Sequence, residues 1–378
     1  MQRTGTARLP LHYGKAPRWL VVRMQKLAKE IVIIVVDEYG TGGFLRRVSD
    51  PFWFQALGCV LGHDWHSSGV TTVVTGALKQ AIVPEEHGIA VCGGKGRISR
   101  QAPLEIGNVG EKFGFSGNKI DALRYASKMS AKVDSAAVQA GYQLYHHAFF
   151  VAEDEQWAVI QQGMCPQDRT ARRFHWLSSN TENFVVEPHN AIVGDVKRDV
   201  VLDMTAKESE RCRKTSIDIA KEPPKKSMQM LMSIRPAHQA SLQKWLPKTA
   251  GTAWKECPAD FLSMPRNINW KALQEVYEFQ PGNYEELLGF KGVGPATVRG
   301  LALIAELIYG EKPSWKDPVK YSFAYGGKDG VPYPVNRKAM DESIQILKQA
   351  VQEAKVEDKE KMRSLQRLRR FVPESVAL

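Results

Sequence analysis

The sequence predicts an α+β protein: a mixed α/β N-terminal domain, then an all-α domain, then a C-terminal helix. Three observations carry that reading. Apolar residues at 20, 24, 27, 31 and 34 recur at helical spacing. From Tyr142 the period changes, with β-branched and aromatic residues on both sides of Glu153-Asp154-Glu155. After Pro223-Pro224 the chain returns to helical segments rich in Leu, Met and Trp. The predicted domains are residues 1–222, 223–312 and 313–378.

The elements follow in order. A long helix opens at Pro17 and stops at Gly40, and Ser49-Asp50-Pro51 starts a buried helix over Phe52–Leu61. The polar run His63–Gly69 reads as a tight loop opening onto another apolar helix, Val70–Ile82. Gly88–Cys92 is a strand entering Gly93-Gly94-Lys95-Gly96, and Ile120–Lys132 is helical. Tyr142–Ala152 and Gln156–Gln162 form a hairpin, with Asn183–Glu187 and Val200–Leu202 as further strands. Thr205 and Glu208 make a capping box for a helix to about Lys221. Beyond the Gly/Pro-rich loop after Trp315, one mixed-charge helix runs from about Arg337 to Arg370 with a solvated face.

Composition narrows the function. The chain has 378 residues, with 52 Lys and Arg against 41 Asp and Glu, a net charge of +11. That surplus favours a polyanionic partner, because cations on the protein release phosphate counterions. The longest aliphatic run, Ile31–Val36, is too short to cross a bilayer. The N-terminus carries no apolar signal core. Five scattered cysteines without a C-x-x-C pair fit reduced thiols, so a cytoplasmic location is expected. Neither a Walker phosphate loop nor the Rossmann glycine pattern is present.

The sharpest motif is Tyr284-Glu-Glu-Leu-Leu-Gly-Phe-Lys-Gly-Val-Gly-Pro-Ala-Thr-Val-Arg299. A short helix ends at glycine, Gly292-Val293-Gly294 turns the chain, and Pro295 starts a second helix. Bare amides at the glycines and the helix N-terminus form a phosphate pocket, with Lys291 and Arg299 adding charge. Such a pocket reads no base edge, so binding follows the backbone whatever the sequence. The stretch resembles the helix-hairpin-helix motif of DNA repair enzymes and nucleases; the bland alternative is an ordinary αα-hairpin with a glycine cap.

A second constellation suggests hydrolysis. His63-Asp64-Trp65-His66 puts imidazoles and a carboxylate beside a helix start, and Asp64 and His66 point to one side of an extended loop. These groups suit Mg²⁺, Mn²⁺ or Zn²⁺. Asp64, His66, Glu187 and His189 are the expected metal ligands, and His147 is a further ligand or base. Lys95 and Arg172 are expected at the scissile phosphate. Arg172-Arg173-Phe174-His175-Trp176 offers cations and rings of the kind single strands stack on. The alternatives are a core histidine for His147 and a plain turn for Glu187-Pro188-His189 or Gly93–Gly96.

The chain as a whole resembles an archaeal and bacterial family catalogued as domain of unknown function 763. The residues carrying the resemblance are Arg3–Ala7, Asp50–Gln55, Asp64–Thr72, Trp157–Met164, Ala171–Trp176, the hairpin motif and Gly326–Gly330. Tyr325 stands where similar chains have histidine. The resemblance implies a nuclease-type domain fused to a helix-hairpin-helix domain. The expected function is therefore a divalent-metal-dependent nuclease acting on duplex, single-stranded or branched DNA. The alternatives are a non-catalytic DNA clamp and an RNA-processing nuclease.

Overall fold

The computed structural model describes residues 18–63, 68–194, 196–234, 264–265, 267–319 and 337–371. An antiparallel five-stranded sheet is its centre. The strands are β1 (Ile89–Lys95), β3 (Gln143–Ala152), β4 (Trp157–Cys165), β5 (Thr170–Leu177) and β6 (Ala191–Gly194), in spatial order β1-β3-β4-β5-β6. Short strands β2 (Val138–Gln139) and β7 (Leu202–Asp203) pair separately.

Helices cover both faces of the sheet, which is why β3 and β4 read as long buried runs rather than alternating ones. On one face Val91, Ala148, Phe150 and Ile160 pack on α1 (Arg18–Val48), α2 (Pro51–Leu61) and α3 (Gly69–Ala81). The short α4 (Pro84–His87) leads into β1. On the other face Cys92, Phe149, Val159 and Trp176 share a cluster with α5 (Ala102–Lys112), α6 (Gly117–Lys132) and α7 (Glu210–Ala220). That cluster also takes in α8 (Pro224–Ser233), α9 (Trp270–Phe279), α10 (Tyr284–Gly289) and α11 (Pro295–Tyr309). The 222/223 boundary thus falls between α7 and α8, inside one hydrophobic cluster.

Several elements depart from expectation for local reasons. The first helix does break at Gly40 (φ 72°, ψ 171°), where expected, but a second helical stretch follows directly and carries α1 on to Val48. Asn183–Glu187 is no strand: the Asn183 side chain accepts from the amides of Val185 (2.8 Å) and Val186 (2.5 Å), a turn that competes with a ladder. Thr205 caps no helix, because its hydroxyl and amide both bind Asp203 (2.5 and 2.8 Å) and α7 begins at Glu210 after a 3₁₀ turn. The C-terminal helix is two, α12 (Arg337–Glu353) and α13 (Asp358–Phe371), and it is not simply solvated. Leu347, Val351 and Leu368 are buried in the cluster around α1 and α2. Among the described residues no helix is long and apolar enough to cross a membrane.

Candidate functional site

The hairpin forms where the motif places it. Asn283 caps α10 through the Glu286 amide (2.9 Å), and Glu286 returns bonds to the Gly282 amide and the Asn283 side chain. The turn Phe290–Gly294 then swings the chain into α11. Val293 is its anchor, 1% exposed, while Lys291 and Gly292 beside it lie at the surface. Gly292 sits at φ 89°, and a Cβ there would come within 2.7 Å of the Ala272 Cβ and 2.8 Å of Asn269 Nδ2. The turn is therefore pressed onto the first turn of α9. Gly294 is different: its backbone is extended (φ −135°, ψ −172°), and a Cβ there would meet nothing within 4 Å. No side chain caps α11 at Gly294. The first turn of α11 thus takes no side-chain cap from Gly294, and a helix N-terminus favours an anion.

A lysine from the other side of the chain underlies this turn. Lys132, at the end of α6, donates to the carbonyls of Phe290 (3.2 Å) and Val293 (2.5 Å). Burial, and then the neighbouring Lys128, pushes its ammonium below the usual lysine range. Gln139 donates to the Pro295 carbonyl at 2.9 Å. Lys128, Lys271 and Lys291 are exposed around the same turn. Arg299 lies one helical turn further in, its guanidinium 5.5 Å from the Trp315 ring, whose Nε1 donates to Glu306. Sequence reasoning missed Lys128, Lys132 and Lys271. Nothing local marks them, since Lys132 is about 160 residues from its partners.

The expected metal and phosphate residues are placed otherwise. Asp64 and His66 lie outside the described residues, as does Tyr325. His146 and His147 are neighbours on β3 and so face opposite sides of the sheet. His147 Nε2 is 2.9 Å from Ser127 Oγ, and burial pushes its imidazole down to about 4. His146 Nε2 is 3.0 Å from Thr75 Oγ1, and burial pushes it down to about 3. His189 Nε2 is 2.5 Å from the buried Asp134, which also accepts from Gln161 (2.7 Å) and the Trp176 indole (3.0 Å). Burial raises the Asp134 carboxyl, with His189 opposing. Asp134 sits on a π-helical turn, Val133–Ala137, and carried no sequence signal.

Glu187 does not join His189: its half-exposed carboxylate pairs with Lys207 at 3.2 Å. Among the described residues no group of three or more His, Cys, Asp or Glu side chains is arranged to hold a metal ion. Glu187, His189 and His147 therefore do not fit a shared divalent cation. Arg172 is not offered to a phosphate, because its guanidinium is fully buried on Asp317 (2.7 Å) and lies over the Tyr142 ring. Arg173 bonds Gln55 and His175, and Phe174 and Trp176 are core. The stretch expected to stack on single strands is instead the interior of β5. Lys95 does stay exposed, at the end of β1, paired in register with His146.

Comparison with known proteins finds no curated protein and no solved structure that matches. One family does match, described as "Protein of unknown function (DUF763)", and with residues 5–335 aligned to it the chain belongs to that family.

Proposed function

We propose that this protein binds DNA through the phosphate backbone, without sequence preference, at the hairpin Phe290–Pro295. One observation carries the reading: the uncapped start of α11 opens behind Gly294, with exposed Lys291 beside it and the Lys132 ammonium beneath. Two unrelated duplexes of equal length should bind the full-length protein equally. Log affinity should fall linearly with log salt, and Lys291→Gln should reduce that slope by about one. No binding at low salt, or an unchanged slope in Lys291→Gln, overturns the proposal.

Cleavage of the bound strand is proposed on Asp64 and His66 alone, since Glu187 pairs with Lys207 at the surface and His147 and His189 are engaged inside the fold. Its test is separate from binding. Mn²⁺ or Mg²⁺ should support cutting that a chelator stops, and Asp64→Ala should lose roughly two orders of magnitude in rate while binding DNA like the wild type. An Asp64→Ala variant that cuts at the wild-type rate removes Asp64 from the chemistry. Binding without any metal-dependent cutting leaves a clamp.

A further inference from the structure

We propose that the DNA path does not end at the hairpin but continues along α6 to the turn Gly96–Gln101, and that its occupant is double-stranded DNA. This rests on the hairpin reading above. Arg124, Lys128 and Lys132 recur every four residues and so share one face of α6. At one end Lys132 reaches the Phe290 and Val293 carbonyls. At the other, Arg124 donates to the Pro103 carbonyl (3.1 Å), at the start of α5, directly after the turn that carries Arg97 and Arg100. Lys95, Arg97, Arg100, Lys128 and Lys291 are all exposed, and none forms an ion pair among the described residues.

The acidic groups nearby are mostly occupied. Asp121 pairs with Arg124 (3.1 Å), so Arg124 shapes the track without adding a free cation. Glu105 holds the base of the basic turn, accepting from Lys79 (2.6 Å) and the Gly93 amide (2.7 Å). Glu285 accepts the Tyr125 hydroxyl. Glu286 caps α10.

The length of the track selects the partner. Eight residues of α6 alone span about 12 Å, between three and four base pairs, and a basic turn stands at each end of them. One phosphate cannot occupy such a track; a stiff polyanion can. Single strands are held by aromatic platforms. Here Phe174 and Trp176 are core, and the Tyr125 ring meets Phe184 edge-on with its hydroxyl tied to Glu285. Phe279 is exposed against Phe290 of the hairpin turn, but α6 and the Gly96–Gln101 turn carry no ring other than Tyr125, so most of the track is cations, which suits the regular phosphates of a duplex.

The test uses the full-length protein, a labelled duplex longer than the track and one of half its length. Arg97→Gln/Arg100→Gln/Lys128→Gln should melt like the wild type, bind the long duplex roughly tenfold or more weakly, and lower the salt slope by about two to three. Arg97→Lys/Arg100→Lys/Lys128→Arg should retain both affinity and slope. Halving the duplex should weaken the wild type and leave the triple glutamine variant nearly unchanged. If that variant binds like the wild type while Lys291→Gln is impaired, the track is wrong and the hairpin reading stands. If the wild type prefers the single strand of equal length, the commitment to duplex is wrong. If Lys291→Gln and the wild type bind alike, the hairpin reading itself falls.

Discussion

Lys132 Nζ lies 2.5 Å from the Val293 carbonyl oxygen, so the end of α6 holds the turn that precedes α11. The same ammonium reaches the Phe290 carbonyl at 3.2 Å. Two carbonyls of a five-residue turn converge on one cation from an element far away in sequence, which fixes the turn and places positive charge beneath it. Lys132→Met should lower stability by about 2 kcal/mol, the scale of hydrogen bonds to a charged group. Its DNA affinity should also fall, and methylammonium in the binding buffer should restore part of it. Urea melts beside binding titrations measure both. Wild-type affinity in Lys132→Met would make the contact structural only.

The two glycines of the motif separate fold from binding. Gly292 holds a left-handed backbone with Ala272 and Asn269 pressed against it. Gly292→Ala should therefore cost about 1–2 kcal/mol from the backbone alone, and more from the contact. Gly294→Ala meets open space at an ordinary φ, so its melting temperature should stay near wild type. Its methyl group would stand where a phosphate meets the α11 amides, and affinity should drop roughly tenfold. A Gly294→Ala protein that folds and binds DNA normally puts the phosphate elsewhere.

What could be read in the chain depended on whether the partner was local. Ser49-Asp50-Pro51 announced α2 because the cap is short-range: Asp50 accepts the Trp53 amide at 2.8 Å. The β3–β4 hairpin and the Gly292–Gly294 turn were legible for the same reason. β5 was not. Arg172 and Arg173 look like surface residues until Asp317 and Gln55, more than a hundred residues away, are seen to bind them, and His175 is held in turn by Arg173. The mixed-charge C-terminal helices hide their burial likewise, since Leu347 and Leu368 bury a stripe against helices at the opposite end of the chain. Asp134 and Lys132 belong to this class too, because tertiary partners 27 to 161 positions away give them their meaning.

Buried neutral histidines should make the protein acid-labile. Burial pushes His146 down to about 3, His147 to about 4, and His175 well below its ordinary value. In the unfolded chain each protonates near 6.5, so below that pH the unfolded state binds more protons than the folded one. Their contribution is complete above about pH 6.5 and is lost as pH falls toward 4, by up to about 1.4 kcal/mol per pH unit for each histidine. The raised Asp134 carboxyl acts in the opposite sense. Urea midpoints from pH 7.5 to 4.5 should therefore fall, and His147→Gln should flatten the curve. A stability that does not change between pH 7 and 5 contradicts neutral burial of these rings.

The Arg172–Asp317 pair ties β5 to the segment after α11, and it separates a structural cation from a phosphate ligand. Both side chains are fully buried, and Asp317 also accepts the amides of Arg198 (2.7 Å) and Val319 (3.1 Å). Asp317→Asn leaves the guanidinium buried without its counter-charge, which should cost about 3–5 kcal/mol. Arg172→Met alone strands the carboxylate, though two backbone donors remain to it, so the loss should be smaller. Arg172→Met/Asp317→Asn removes both charges together and should recover much of the stability of Asp317→Asn. The binding result decides the role of Arg172. If it is structural, the folded double variant binds DNA with wild-type affinity and wild-type salt slope. If it touches a phosphate, the slope falls by about one while the melting curve recovers. Urea melts and salt titrations on the same three proteins distinguish these outcomes, and the complete burial of Arg172 favours the first.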